Sequence, residues 1–191
     1  LIARDLGGLG DLAEVMQTAT SLAEAALMRA HRLLSGWLAE SFGQPIGEDS
    51  GTPQELLVVG MGKLGGGELN VSSDIDLIFT YPEEGETDGS RRISNHEFFT
   101  RLGKSLIAAL GEVTADGFVF RVDMRLRPYG DSGPLVASFA MLEEYYASQG
   151  RAWERYAWIK GRVLCGTRAE ELMAFMRPFV FRKYLDFGAF A

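Results

Sequence analysis

The stretch DIDLIFTY, residues 74–81, opens an apolar run with two carboxylates, Asp74 and Asp76. Side chains on a strand alternate between its two faces. A strand here therefore turns Ile75, Leu77 and Phe79 into a core and puts Asp74 and Asp76 together on the other face. Two carboxylates so placed stand about 6–7 Å apart and repel each other unless a cation lies between them. A hard cation that takes oxygen ligands, Mg²⁺ or Mn²⁺, is the usual answer. The chain is thus confined to folds in which a buried strand begins at a charged, ligand-facing edge.

A second stretch repeats the alternation. FVFRVDMRLRP, residues 118–128, reads as a strand ended by Pro128, with Val122, Met124 and Leu126 on one face and Arg121, Asp123, Arg125 and Arg127 on the other. If it lies beside the first strand, Asp123 becomes a third acid at the same place and the three arginines make a positive wall. Two metal ions held by such acids can clamp the attacking and leaving oxygens of an in-line displacement, and arginine offers forked donors to phosphate oxygens. Upstream, GMGKLGGG (60–67) is a glycine-rich loop that lets backbone N–H groups approach an anion, with Lys63 adding charge. It is neither a Walker A loop nor a dinucleotide-binding fingerprint. Its meaning comes from its spacing: Gly62, eleven residues, then Asp74-x-Asp76. Each signal alone has a plainer reading. An Asp-x-Asp pair occurs on exposed strands, alternating charge marks one solvated face of an antiparallel sheet, and Lys63 reads equally as a surface lysine. Together, in this order, they favour a site for metal-chelated phosphates.

The surrounding pattern predicts an α/β or α+β domain, a small mixed sheet flanked by helices. An apolar stripe over 11–41 predicts one long helix, with Asp11 as N-cap and Gly43 as stop. His31 near its end reads as a surface or packing residue. GQPIGEDSGTP (43–53) reads as a linker, ELLVVG (55–60) as a buried strand and PEEGETDGSRR (82–92) as an exposed connection. Ser94 and Glu97 form a capping box for a helix ending at Gly111. Asp116-Gly117 is a turn, Ser138 caps a helix over 139–149, and a further helix starts near Trp153. The expected organisation is a helical region over 1–50, a catalytic domain over 51–150 and the start of a C-terminal helical region over 151–191.

Composition narrows the partners. The chain has 191 residues, a net charge of -7 and a pI of about 4.9. That argues against a protein built to grip nucleic acid. With one cysteine, Cys165, no disulfide can form within the chain, and a cytoplasmic location is expected. No apolar run reaches the roughly 20 residues needed to span a bilayer. The chain begins at Leu1 and stops in FRKYLDFGAFA without a cap, as a fragment of something longer would.

The order Gly-x11-Asp-x-Asp followed by a strand with a third acid resembles the nucleotidyltransferase fold of polymerase-β-like enzymes. The strings GMGKLGGGELNVSSDIDLIFTYPEEG, FFTRLGKSLI, DGFVFRVDMRLRPYGDSGPLV and WERYAWIKGR are similar to the family of glutamine synthetase adenylyltransferase / adenylyl-removing enzymes. The resemblance runs from about residue 56 to 162. It implies an enzyme chain with two nucleotidyltransferase domains, one adding AMP to a tyrosine of glutamine synthetase, the other removing it with orthophosphate and releasing ADP. WERYAWIKGR looks more like the removing half, although Gly161 stands where the family usually has alanine. Carried over, Asp74, Asp76 and Asp123 would bind two Mg²⁺ or Mn²⁺ ions. Gly62, Lys63, Gly65, Gly66 and Ser73 would line the phosphate side, and Arg125 and Arg127 would hold orthophosphate or the adenylyl phosphate. Glu154 and Lys160 read either as substrate-facing groups or as ordinary packing. The resemblance also implies control by the PII signal protein. ATP-dependent adenylylation of the same tyrosine and a catalytically silent nucleotide-binding domain remain the competing readings.

Overall fold

A computed structural model of the chain describes residues 2–181. In chain order these form helices α1 (Ile2–Leu6) and α2 (Leu12–Phe42), strands β1 (Pro45–Gly47) and β2 (Leu57–Gly60), a one-turn helix α3 (Gly62–Gly65), and strands β3 (Ile75–Tyr81) and β4 (Gly85–Thr87). Helix α4 (Asn95–Gly111), strand β5 (Val122–Asp123), a 3-10 turn (Gly130–Ser132) and strand β6 (Val136–Ser138) follow. Helices α5 (Phe139–Ser148) and α6 (Ala152–Ile159), strand β7 (Arg162–Cys165) and helix α7 (Ala169–Val180) complete the described part. The result is the mixed α/β architecture with a long N-terminal helix that the pattern predicts.

Strand β3 is the axis of the sheet. On one side β2 pairs with it antiparallel, and β7 pairs with β2 beyond. On the other side two short strands share its length, both parallel: β5 beside Ile75 and Asp76, and β6 beside Phe79 to Tyr81. The chain leaves that edge after Asp123, loops out, and returns at Val136. Both faces of the sheet are covered. Ile75, Leu77, Phe79 and Tyr81 pack with α2 and α4, while Leu57, Val59 and Ile78 pack with α5, α6 and α7. A central strand covered on both faces reads as a nearly continuous apolar run, which is why Ile78 and Thr80 are as buried as their neighbours.

Helix α2 begins where expected: the Asp11 carboxylate accepts from Glu14 N at 2.8 Å, a cap that contributes about 1 kcal/mol. Gly43, at φ +86°, ends it. Its buried stripe, Val15, Ala19, Ala23 and Leu27, is narrower than the apolar pattern, for Leu12, Leu22 and Trp37 are exposed. His31 is a packing residue: Nε2–H donates to the Leu56 carbonyl at 2.9 Å, and burial holds its pKa below the usual value. Helix α4 starts at Ser94, whose hydroxyl accepts from Glu97 N, but the box is half closed because the Glu97 carboxylate turns to Arg101. The helix runs through Gly111 and stops at Glu112.

The segments expected to be unstructured hold two strands. β1 lies in the expected linker and β4 in the expected connection, and the two pair antiparallel. Strands β1 and β7 also lie outside the expected 51–150 domain, although β7 extends its sheet. The expected strand over 118–128 is reduced to Val122–Asp123, because the chain turns immediately after Met124. Of the expected C-terminal helical region, residues 182–191 lie outside the described residues. No helix among the described residues is long and apolar enough to cross a membrane.

The glycine-rich turn is anchored from two directions. Thr20 of α2 accepts from Leu69 N at 3.2 Å, and Arg162 of β7 donates to the carbonyls of Gly65 and Leu64 while pairing with Glu24 of α2. Gly65 itself is buried, and an added Cβ would run into the carbonyl oxygens of Lys160 and Gly60. Backbone cannot move aside cheaply, so Gly65→Ala is expected to destabilise the chain by about 1–3 kcal/mol in urea unfolding. A change within about 0.5 kcal/mol, the usual range of surface substitutions, would show that the α6–β7 turn is not held against this glycine.

Candidate active site

The register of β3 and β5 sets Asp76 directly opposite Asp123. Adjacent strands lie about 4.8 Å apart and paired residues share a face, so the two carboxylates rise side by side from the sheet. The β2–α3 turn closes over them. Met61 N donates to the Asp76 carbonyl at 2.9 Å, and Gly62 follows at φ +53°. A Cβ on Gly62 would lie 2.8 Å from Asp76 Oδ2. Both the left-handed backbone and the close carboxylate therefore require glycine here. Asp74 lies one residue before β3, exposed, with Ile75 N donating to the Arg121 carbonyl at 2.9 Å beside it.

The three acids are in different electrostatic states. Asp76 is held above the usual carboxylate range, first by burial, then by the charges of Asp123 and Asp74. No hydrogen bond contributes to its balance; Arg125 and Lys63 act on it only at a distance. Asp123 is held below the usual range, chiefly because Arg125 bonds it: Arg125 Nε lies 2.8 Å from Oδ2 and Arg125 N lies 2.8 Å from Oδ1. Asp74 is paired with Arg121. The expected wall of free arginines is thus corrected. Arg121 and Arg125 are already engaged with the acids, because the chain turns at Met124 and brings Arg125 back onto Asp123. Arg127 points inward, its side chain 13% exposed, with Nη1 donating to the Met124 carbonyl and Nε buried without a partner.

The phosphate-side residues divide in two. Lys63 Nζ donates to Ser73 Oγ at 3.4 Å, and Ser73 donates to Asn70 Oδ1, so these side chains form a string beside Asp76. Gly62 and Lys63 supply amides that a single helical turn leaves without helical partners. Gly65 and Gly66 do not: their amides donate to the carbonyls of Met61 and Gly62, and Gly65 serves close packing instead. Glu154 is also structural. It is buried, accepts from Tyr145 OH and Arg151 N, both at 2.8 Å, and so caps α6. Lys160 pairs with Glu68 on the surface. Asn70 and the counter-ion role of Arg121 were not read from the sequence, which gives no sign of which acid an arginine will reach.

Comparison with known proteins fits this arrangement. Residues 1–176 match the family described as glutamate-ammonia ligase adenylyltransferase. The chain belongs to this family. Relatives named bifunctional glutamine synthetase adenylyltransferase/adenylyl-removing enzyme include those of Chromobacterium violaceum, 65% identical over 190 residues, and Nitrosomonas eutropha, 59% identical over 195 residues. Each alignment covers 100% of this chain and 21% of the relative. The relative from Pseudomonas aeruginosa is 59% identical over 99% of the chain and 20% of its own length. The chain thus spans about a fifth of the relatives it matches. As the relatives' names state, this adenylyltransferase family is one of nucleotidyl-transferring enzymes.

Whether the acids of this family member suit a metal ion can be judged from their partners. Among the described residues no three His, Cys, Asp or Glu side chains are gathered to hold one as they stand. Asp74 and Asp123 are instead paired with Arg121 and Arg125. The Arg121–Asp74 pair is exposed on both sides, 61% and 46%, and a pair of that kind is worth only about 0.2–1 kcal/mol, so a divalent ion can take Asp74 from Arg121 at small cost. Asp123, 15% exposed and bonded by both the guanidinium and the backbone N of Arg125, is the more firmly held of the two. The all-oxygen donor set suits a hard cation, and the Asp76 carboxylate, desolvated and without a donor, is the group that gains most from one. The residues fit.

The state of Asp76 has a measurable consequence. A carboxyl whose folded pKa is raised binds more protons in the folded chain, so stability falls as pH rises from the ordinary range near 3.8 through the folded value. At neutral pH and without divalent ions, Asp76→Asn is expected to raise the thermal midpoint, and the gain should vanish in acid, below both pKa values. A variant less stable than wild type at neutral pH would mean that the ionised carboxylate is stabilised rather than strained.

Proposed function

We infer that this chain is a nucleotidyltransferase domain that removes AMP from adenylylated glutamine synthetase by phosphorolysis. The observation that carries the reading is Asp76 set beside Asp123 and against Gly62, in a chain whose relatives are named for adding and removing adenylyl groups on that enzyme. The removing direction is supported by Trp153-Glu154-Arg155-Tyr156-Ala157, which is similar to the segment of the removing half. The reducing cytoplasm suits the free, buried Cys165.

Asp76 and Asp123, joined by Asp74 once Arg121 lets go, would hold Mg²⁺ or Mn²⁺. Bound there, a divalent ion offsets the negative charge that gathers between two phosphate groups. The chain's own residues position the reactants. The free amides at Gly62 and Lys63 and the Lys63 ammonium face the phosphate oxygens. Arg125, displaced from Asp123, presents a forked donor at the same spot. An oxygen of hydrogen phosphate attacks the adenylyl phosphorus, the bond to the tyrosine oxygen breaks, and ADP leaves. The proton carried by hydrogen phosphate ends on the tyrosine oxygen, whose pKa near 10 makes it a fair leaving group. Positioning and charge stabilisation supply the catalysis, as in related phosphoryl transfers.

The test is turnover in both directions. With orthophosphate and adenylylated glutamine synthetase, wild type should release ADP, while Asp76→Asn and Asp123→Asn should each lose roughly 10²–10³-fold or more with the fold intact by circular dichroism. With ATP and unmodified synthetase, incorporation of AMP should be absent. AMP incorporation without phosphorolysis would reverse the assigned direction. Near-normal turnover by Asp76→Asn would remove the acids from the chemistry.

A further inference from the structure

A cavity of about 380 Å³ opens beside Arg125, within the size range of small-molecule sites. Its wall nearest the acids is Arg125, the residue that bonds Asp123. The remaining wall comes from the turn after β5 (Tyr129, Ser132), the end of α5 (Gln149) and the start of α6 (Arg151, Trp153). We propose that this cavity receives the purine nucleoside of the adenylyl group, with Arg125 at the junction between nucleoside and phosphate. The proposal rests on the phosphorolysis reading and adds the subsite that selects the substrate.

Three observations point to a base rather than a bare anion. First, two aromatic side chains, Tyr129 and Trp153, face the cavity while remaining 47% and 48% exposed. The water-facing sides of these rings, at the mouth of a polar cavity, are surfaces on which a base can stack, and every base has a π face to offer them. Second, Tyr129 is held where it is at a conformational cost. It is the one non-glycine residue with positive φ among the described residues, at +61°. Its ring packs edge-on against Tyr145 at 4.5 Å, and Tyr145 is pinned by Glu154. Backbone strain of this kind collects at ligand sites. Third, Gln149 Nε2 donates to Tyr129 OH at 3.2 Å, which leaves the amide oxygen to accept. A glutamine amide matches the amino and ring-nitrogen edge of adenine.

Glu154 lies at the cavity floor with its two oxygens bonded to Tyr145 OH and Arg151 N, while Arg125 and Arg151 stand at the rim. Arg125 both bonds Asp123 and lines the cavity, so a nucleotide seated here would hold its phosphate toward Asp123 and its base against the aromatic wall. The capping of α6 by Glu154 thereby has a second role: it fixes the helix whose first turn presents Arg151 and Trp153.

Titration calorimetry with Mg²⁺, using ADP, CDP and pyrophosphate as probes on the purified chain, separates the possibilities. Trp153→Ala should weaken ADP roughly ten-fold, Trp153→Phe should restore it, and pyrophosphate affinity should not change in either. Gln149→Ala should narrow the preference for ADP over CDP. Trp153 is half exposed, so its loss should leave the thermal midpoint in place. Equal weakening of ADP and pyrophosphate, or no weakening of ADP, overturns the nucleoside subsite and makes the cavity a phosphate site or none. If ADP then still weakens on Asp76→Asn, the proposed reaction stands without this subsite. If wild type does not bind ADP at all, both readings fall.

Discussion

The parallel pairing of β3 with β5 is two residues long, and the candidate active face depends on it. It brings Asp76 and Asp123 level across neighbouring strands, an arrangement that costs energy because one carboxylate is partly desolvated beside another. The fold tolerates the cost because everything around the pair is fixed by stronger terms. Strand β3 is covered on both faces, and the turn at Gly62 is held by Met61 N, by Thr20 and Glu24 of α2 and by Arg162 of β7. A one-residue slip of β3 would bury Asp76 and expose Leu77, so the hydrophobic pattern itself pins the acids in place.

The arginines give the site two electrostatic states. Without a cation, Arg121 and Arg125 act as counter-ions for Asp74 and Asp123 and leave only Asp76 unsatisfied. Were a cation or a phosphate to bind as proposed, Arg121 would change partners readily, since its pair with Asp74 is exposed on both sides. Arg125 is placed to swing between Asp123 and the neighbouring cavity, because it lines both. Arg127 cannot do this. Half-buried, bonded to the Met124 carbonyl and paired with Asp131, it stiffens the turn that carries Arg125.

What could be read in the sequence follows from the range of the forces involved. The long helix, its Asp11 cap, the caps at Ser94 and Ser138 and the buried β3 are local patterns, and each is found within a residue or two of its expected place. β1, β4, β6 and β7 were not legible because they are short and exist only by pairing with distant partners; β-structure depends on such context more than helix does. The strand over 118–128 shows the opposite error. Its pairing holds only at Val122 and Asp123; Phe118 and Val119 are both exposed, and the turn after Met124 breaks the period, so the charged residues beyond Asp123 no longer share one face. At the site, the proximity of Asp123 to Asp76 was legible, whereas the arginine partners and the helix-capping duty of Glu154 were not, since long side chains choose partners only in three dimensions.

The same reasoning explains why the acids alone leave the direction of transfer open. Adding and removing AMP pass through the same phosphorus with the same oxygens in line, so groups that stabilise that charge serve both. Direction must come from what the surrounding walls admit: a triphosphate whose pyrophosphate leaves, or a modified tyrosine together with orthophosphate. In this chain the walls are the α3 turn on one side and the Arg125–Trp153 cavity on the other. If the cavity takes the nucleoside, the second phosphate is left to the α3 turn, which carries Lys63 and the free amides of its first turn. That turn is one helical turn long, with the amides of Gly65 and Gly66 already engaged. On the proposed phosphorolysis reading that turn has to seat one phosphate group, whereas on the adenylylation reading it has to seat the two outer phosphates of a triphosphate.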